Sequence, residues 1–582
     1  MKQLMSGNEA IARGAWEAGV LFAAGYPGTP STEVLEALSS YSEVDAQWST
    51  NEKVAFDECI GAALGGARSM VTMKHVGLNV AADPFMVFPY AGTNAGFVAL
   101  VADDPGMYSS QNEQDSRYFA KIAKVPLLEP SDAREAHQMV KEAFELSERF
   151  ETPVMFRTTT RLAHTRGTIE AGERTEAARK PFSRRISQYA IPVYAKFRRP
   201  ELEDKLDRLR QLAEEFTGNG IEEGTGDIGI VSHGIPYQYV REAMPDATVF
   251  KLGMIYPLPK QRLKQFCARF DKVFVVEESE GFIEQEMATF GISNVIGKDR
   301  FTNIGELTPD LVAQGLTGSA IPADFGAAAT ILPRPPVLCP GCSHRGILGA
   351  LKELGVLVTG DIGCYTLGCL PPYESMHTTF CMGASIGNAT GFNKAGEDRV
   401  VGLIGDSTFL HSGIPSLLSA VYNQVPTTTV LLDNGTTGMT GHQQHPGTGS
   451  TLKNRPAPAV KYEDLIRSLG VEHISVVDPW DPESTVTAIK SGLDHPGPAV
   501  IIAKRTCRLL PEEKAKETIP YQVEELNCIQ CEDCMETGCP ALVWEGETPH
   551  IREWECAGCA MCAHLCPVDA ICQVEVSADA GH

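Results

Sequence analysis

Two cysteine runs near the C-terminus carry the plainest chemistry in this chain. Cys528, Cys531 and Cys534 stand at equal spacing and are followed by Cys539-Pro540; Cys556, Cys559 and Cys562 repeat the spacing and are followed by Cys566-Pro567. These runs hold eight of the 17 cysteines within the last tenth of 582 residues. Clustered C-x2-C spacing in a long chain of the kind kept reduced favours metal over disulfides. Zinc ribbons use separated pairs, whereas three equally spaced thiolates followed by a fourth and a proline suit iron–sulfur chemistry, because one short loop can wrap three corners of a cube. Electrons are therefore expected to move here, and another part of the chain must supply them.

A second candidate centre begins at Gly405. The apolar run VVGLIG leads straight into Asp406, a helix-like stretch follows, and a second apolar run, TTVLL, ends in Asp433-Asn434, 28 positions after Asp406. Adjacent strands of a parallel sheet would bring these ends side by side at the carboxyl edge, where open α/β sheets bind ligands. An Asp, an Asn and a nearby backbone carbonyl are hard oxygen donors suited to Mg²⁺ holding a diphosphate.

The elements that must position these groups follow the α/β alternation expected of parallel-sheet domains. MSGNEAIARGAWEAG reads as an amphipathic helix, VLFAAGYPGTPSTEVLEAL as strand, Pro/Gly turn and helix, and FVALVADD and PVMFRT as strands. The fold class is α/β and multidomain, closing in a small cysteine-rich α+β domain. The organisation expected is an α/β domain over 1–190, a charged linker over 191–226 ending in a surface helix, a small α/β domain over 227–325, a third α/β domain over 335–510 and the cysteine domain over 520–582. Pro-rich ILPRPP marks the boundary before the third domain.

The net charge of −24 disfavours nucleic acid and anionic membranes as partners. No run of 18 apolar residues is present, so no membrane span is expected, and the N-terminus breaks its apolar residues with charges, unlike a secretory leader. A cytoplasmic location is expected.

The two cysteine runs resemble those of two-cluster bacterial ferredoxins, in which the fourth cysteine of each run ligates the other run's cluster. That resemblance places one [4Fe–4S] cluster on Cys528, Cys531, Cys534 and Cys566, and the other on Cys556, Cys559, Cys562 and Cys539. The first run departs from the pattern with four residues, Met535 to Gly538, before its last cysteine. The Asp406–Asn434 constellation resembles the thiamine diphosphate motif. CPGCSHR at Cys339, DIGCYTLG at Asp361, MGASIGNATG at Met382 and LDNGTTGMTG at Leu432, with YPGTPSTE at Tyr26 and NEKVAFDECIGAALGGAR at Asn51, resemble the two thiamine-binding domains of 2-oxoacid:ferredoxin oxidoreductases. The domain order resembles that of the large, alpha, subunits of the indolepyruvate-oxidising branch of that family.

The resemblance implies roles residue by residue. Glu52 would hydrogen-bond the aminopyrimidine ring and favour the tautomer that deprotonates the thiazolium. Asp406, Asn434 and the Thr436 backbone would hold Mg²⁺, Asp433 standing where the family has the first of two asparagines. Thr29 and His344 would line the cofactor or substrate. Cys339, Cys342, Cys364 and Cys507 occupy the places of a third cluster, with loop shaping as the alternative for the first two. His411, His442 and His445 lie near the site and are open between packing and participation. Cys572, Cys59, Cys267, Cys369 and Cys381 are expected as small core residues.

The activity implied is ferredoxin-dependent oxidative decarboxylation of arylpyruvates, such as indolepyruvate and phenylpyruvate, with coenzyme A, by a heterodimer with a smaller beta subunit that is open to doubling as alpha2beta2. The alternatives are the same chemistry on pyruvate or 2-oxoglutarate, a non-oxidative thiamine enzyme, or an electron-transfer subunit without thiamine chemistry of its own.

Overall fold

The computed structural model describes residues 1–318 and 335–574, apart from 178, 183, 184, 186, 187 and 189. The chain divides into two compact units, Met1–Ala327 and Ala328–His582. Most of the Pro-rich boundary ILPRPP and the ends of the 227–325 and 520–582 segments lie outside the described residues.

The first unit has two large sheets and an antiparallel ribbon of Lys2–Ser6 with Arg166–Glu170. The larger has seven strands in the order Met254–Tyr256, Leu127–Leu128, Val154–Thr159, Phe97–Asp103, Ser69–Lys74, Phe22–Gly25 and Asp45–Trp48. All its pairings are parallel except that of Met254–Tyr256 with Leu127–Leu128. The central strands Ser69–Lys74 and Phe97–Asp103 are buried at every position, as a parallel sheet covered on both faces requires. The second sheet orders Val295–Ile296, Val273–Val276, Gly229–His233, Thr248–Leu252 and Gly220–Glu222, the last antiparallel. One apolar core, running from Phe56, Phe85 and Phe97 to Phe250, Leu263 and Val275, joins both sheets.

Helices start where the sequence supplies caps. Ser6 and Glu9 close a capping box on Gly7–Glu17, Asn51 caps Glu52–Leu64, and Asp132 caps Ala133–Phe150. Within the charged 191–226 segment, Pro192–Glu215 forms a 24-residue helix with Leu202, Leu206, Leu209 and Ala213 buried. An apolar stripe at three- and four-residue spacing seats this helix, with Lys205 buried beside it and donating to the Glu151 carbonyl at 3.0 Å.

The second unit carries a five-stranded parallel sheet in the order Leu357–Thr359, Val400–Gly405, Thr428–Asp433, Ala499–Lys504 and His473–Val477. The cysteine domain is two antiparallel ribbons, Tyr521–Val523 with Ile571–Gln573 and Leu542–Glu545 with Thr548–Ile551, around a small core of Cys534, Leu542, Ile551 and Ile571. So small an apolar core leaves the domain in need of a further staple, as small domains commonly are. Its second cysteine loop packs tightly on the CPGC turn, where a Cβ on Gly341 would meet that of Ala557 at 2.3 Å.

Candidate active site and cysteine pockets

Val400–Gly405 and Thr428–Asp433 are neighbours in register, Gly405 opposite Leu432, so Asp406 and Asn434 emerge together at the carboxyl edge. Asp406 is buried. Its Oδ2 accepts the Asn434 and Gly435 N–H groups at 3.2 and 2.8 Å, and Oδ1 accepts the Ser407 N–H at 2.7 Å. Thr436 N–H donates to Asn434 Oδ1 at 3.1 Å. The carboxylate therefore fixes the Asn434–Gly435 turn, and the donor set offered here, a carboxylate, an amide oxygen and backbone carbonyls, fits a hard cation.

Three histidines occupy different places. His445 Nε2 stands 3.4 Å from Asp406 Oδ2, while its Nδ1 accepts the Gly447 N–H at 3.1 Å. His344 is buried with Nε2 3.4 Å from Asn434 Nδ2; burial, opposed by Asp406, lowers it to about 4, so its imidazole is neutral at physiological pH. His411 is buried with Nδ1 2.7 Å from Ser412 Oγ. Burial and then Asp406 push Asp433 up to about 6.

Two residues that no spacing singled out support this edge. Gly405 N–H donates to the Tyr365 hydroxyl at 2.9 Å, immediately before Asp406. The buried Asp361 carboxylate accepts the Ile362, Gly383 and Ser385 N–H groups at 2.9, 2.8 and 3.1 Å, which pins the start of the Ala384–Ala395 helix. Both belong to the DIGCY stretch, whose only sequence signal was its family likeness.

The cysteines fall into three groups. Cys539, Cys556, Cys559 and Cys562 line one pocket, and Cys528, Cys531, Cys534 and Cys566 line another, each otherwise faced mainly by apolar side chains. Each pocket thus holds three thiols of one run and the last of the other. The near-copies in sequence fold as near-copies: the residues two and four places after the first cysteine, Gln530 and Glu532 in one run and Gly558 and Ala560 in the other, all have φ between 59° and 67°. Backbone N–H groups already point at sulfur, from Tyr521 to Cys556 at 3.4 Å and from Ala570 to Cys566 at 3.2 Å. Such bonds help set cluster potentials. Among the described residues no three His, Cys, Asp or Glu side chains converge on a single-ion site; four thiols spaced around a pocket fit a larger body.

Cys339, Cys342, Cys364 and Cys507 form the third group. Burial pushes Cys342 up to about 12 and Cys364 up to about 11; Cys364 also feels Cys507 and Cys339, and Cys342 feels Cys364 and Cys339. The group adjoins the Asp406 edge, since Cys507 N–H donates to the Asn434 carbonyl at 2.9 Å, and a Cβ on Gly438 would lie 3.5 Å from Cys364 Sγ and 3.9 Å from Asn434 Nδ2. Of the remaining cysteines, Cys59 and Cys267 are buried as expected, but Cys369 and Cys381 are exposed, and Cys572 is half-buried with its thiol donating to Glu524 Oε1 at 3.2 Å. Cys369 closes a short turn and Cys381 sits in a loop, positions a small side chain does not need a core to fill.

In the first unit Glu52 opens its helix with the side chain buried. Gly77 leaves room for it: a Cβ there would stand 2.5 Å from Glu52 Oε1. Thr29 lies in the YPGTP turn, where its carbonyl accepts the Ser109 hydroxyl at 3.1 Å. Gly77→Ala must displace the Glu52 carboxylate, and if Glu52 has the role the family resemblance implies, a misplacement of about 1 Å costs about a hundredfold. The variant is expected to lose the ferredoxin reduction implied by the resemblance on that scale, with unchanged far-UV circular dichroism; a wild-type rate would show that the placement of Glu52 is not critical.

The family "Pyruvate flavodoxin/ferredoxin oxidoreductase, thiamine diP-bdg" matches residues 13–207, and "Thiamine pyrophosphate enzyme, C-terminal TPP binding domain" matches residues 361–503. Indolepyruvate oxidoreductase subunit IorA of Archaeoglobus fulgidus is 41% identical, covering 98% of this chain and 97% of its own. This chain belongs to the IorA family. The IorA subunits of Methanothermobacter marburgensis and Thermococcus kodakarensis are 42% and 38% identical, each match covering 97% of this chain and 96% of theirs. As an IorA-family subunit it is a thiamine-diphosphate-dependent 2-oxoacid:ferredoxin oxidoreductase. Among the described residues, no helix is long and apolar enough to cross a membrane.

Proposed function

We propose that this IorA-family subunit, with a smaller beta subunit, oxidises arylpyruvates such as indolepyruvate and phenylpyruvate. The 2-oxo acid and coenzyme A would give the aryl-acetyl-CoA, CO₂ and a proton, with two electrons passing one at a time to two ferredoxins. The observation that carries the reading is contiguity: the Asp406–Asn434 edge that suits a metal-held diphosphate is hydrogen-bonded directly to the segment bearing Cys507.

Thiamine diphosphate, when bound, supplies an acidic ring carbon and a sink for the electrons of the breaking bond. Asp406, Asn434 and the Thr436 carbonyl would hold Mg²⁺, with His445 steadying Asp406. Glu52 would hydrogen-bond the aminopyrimidine ring, Thr29 would line cofactor or substrate, and His344, kept neutral, would do so without adding positive charge. The thiols would hold [4Fe–4S] clusters in the two sets that share pockets, Cys528, Cys531, Cys534 and Cys566, and Cys556, Cys559, Cys562 and Cys539. Cys339, Cys342, Cys364 and Cys507 would hold a third cluster, which would supply one-electron chemistry beside Asn434.

The test is anaerobic. The chain is purified with its co-expressed partner, supplied with thiamine diphosphate, Mg²⁺, coenzyme A and ferredoxin, and offered indolepyruvate, phenylpyruvate, pyruvate and 2-oxoglutarate in parallel. Ferredoxin reduction is expected to be fastest with the two aryl acids, and iron content to match three clusters rather than two. Reduction only with pyruvate or 2-oxoglutarate would overturn the substrate assignment, and none with any acid despite loaded clusters would favour an electron-transfer role.

A further inference from the structure

Lys74 is the last residue of Ser69–Lys74, a central strand of the seven-stranded sheet, at the carboxyl end where parallel sheets bind ligands. It is 8% exposed, which is unusual for a lysine. Its ammonium has three protons to place, yet its one hydrogen bond among the described residues is to the Ser109 carbonyl at 2.7 Å, and no carboxylate there comes within 4.0 Å. Asp104, nearby, is already committed: Oδ2 accepts the Ser109 N–H at 2.8 Å and the Ser110 hydroxyl at 2.7 Å, and Oδ1 accepts the Thr160 hydroxyl at 2.7 Å. Burial lowers Lys74 to about 8, with Asp104 and Glu52 opposing from a distance. A buried ammonium so poorly paired is costly unless an anion joins it.

Its surroundings say which anion. The Lys74 stem lies beneath the YPGTP turn, where a Cβ on Gly28 would meet its Cδ at 3.2 Å, and Ser109, whose carbonyl holds the ammonium, donates its hydroxyl to Thr29. One helical turn onward, Gly77 abuts the Glu52 carboxylate. Next to Lys74, His75 is buried with Nε2 3.1 Å from the Asn112 carbonyl and, among the described residues, no partner for Nδ1. Lys74 thus stands between the residue expected to line the substrate and the residue expected to act on the cofactor.

We propose that Lys74 binds the carboxylate of the 2-oxo acid substrate. This rests on the proposed function for the identity of the acid. The ion pair anchors one end of the substrate while its keto carbon is presented to the cofactor, and it dissolves when that carboxylate departs as CO₂, so the lysine serves binding and orientation more than the bond-breaking step.

The test uses the anaerobic holoenzyme with its partner subunit and compares wild type with Lys74→Met and Lys74→Gln. Binding of indole-3-propionate, which cannot react, is measured by calorimetry beside its neutral amide. Both variants are expected to bind the acid about thirtyfold more weakly or worse, the scale of removing one partner of a buried charge pair, while amide affinity changes little. KM for indolepyruvate should rise by a similar factor, with thiamine diphosphate content unchanged and clusters still reduced by dithionite. Unchanged affinity for the acid in either variant would overturn the anchor while leaving the proposed function intact. Loss of thiamine diphosphate with acid binding preserved would overturn it too, placing Lys74 in support of Glu52. If the wild-type complex oxidises no 2-oxo acid, the functional reading fails, whereas acid binding lost only in the variants still supports a carboxylate site at Lys74.

Discussion

Glu52→Gln is expected to slow ferredoxin reduction by about 10² to 10⁴-fold, the range of a positioned acid–base group. Glutamine keeps the shape beside Gly77 and the Asn51 cap that starts the helix, so the turn should survive. What it loses is the negative charge. Glu52 is 5% exposed, and a carboxylate so placed can hold the aminopyrimidine ring through a charge-assisted bond that an amide cannot reproduce. Thiamine diphosphate should still bind through the Asp406 edge, and dithionite should still reduce the clusters. The decisive readout is hydrogen–deuterium exchange at the thiazolium carbon of the bound cofactor, which should slow in parallel with turnover. Full activity in Glu52→Gln would remove Glu52 from the chemistry and leave the thiamine-binding domains as scaffold.

How much of this was legible beforehand depended on how local each signal was. The eight C-terminal cysteines sit in runs short enough for spacing to dictate geometry, and the chain folds them into two pockets with one exchanged member each. The extra residue between Cys534 and Cys539 is absorbed by a short 3₁₀ turn over Asp533–Thr537 and by Gly538 in a left-handed conformation at φ 52°. Asp406 and Asn434 were readable because two apolar runs ending in polar residues suffice to predict adjacent strand ends. The Cys339, Cys342, Cys364 and Cys507 group spans much of the second unit, so only family likeness could assemble it. Asp361 was marked in the same way, through DIGCYTLG, whereas Lys74 lacked even that. A lysine after five apolar or small residues reads as a strand end meeting solvent, and nothing in SMVTMK says that the chain closes over it. The same blindness covered Arg157 in PVMFRT, which reads as an apolar strand with a surface arginine and is instead among the largest fully buried side chains.

Arg157→Met is accordingly expected to cost about 3 to 5 kcal/mol, the scale of stranding buried charges. Arg157 Nε donates to Asp103 Oδ2 and Nη1 to Glu129 Oε1, both at 2.7 Å, with all three side chains buried. Beside them Arg117 pairs with Asp115 and Glu277 and donates to the Glu278 and Glu280 carbonyls, so the cluster ties the larger sheet to the second sheet of the same unit. Methionine fills the volume but answers neither carboxylate. Burial alone would push Glu129 up; Arg157 first, then His233 and Arg117, hold it far below the usual carboxylate range. In the native protein that lowered value contributes stability present above the unfolded carboxyl range near 4.5 and lost as pH falls below it. Without Arg157 only His233 and Arg117 oppose the burial of Glu129, so its charged form is less favoured in the folded state and the variant falls further behind wild type as pH rises. Denaturant unfolding is therefore expected to show a larger deficit at pH 8 than at pH 5. The triple variant Arg157→Met, Asp103→Asn, Glu129→Gln should recover much of it and lose the pH dependence, because no buried charge then lacks its partner. A deficit below about 1 kcal/mol, or one insensitive to pH, would mean that water or rearranged neighbours satisfy the two carboxylates, and that Arg117 alone holds the sheets together.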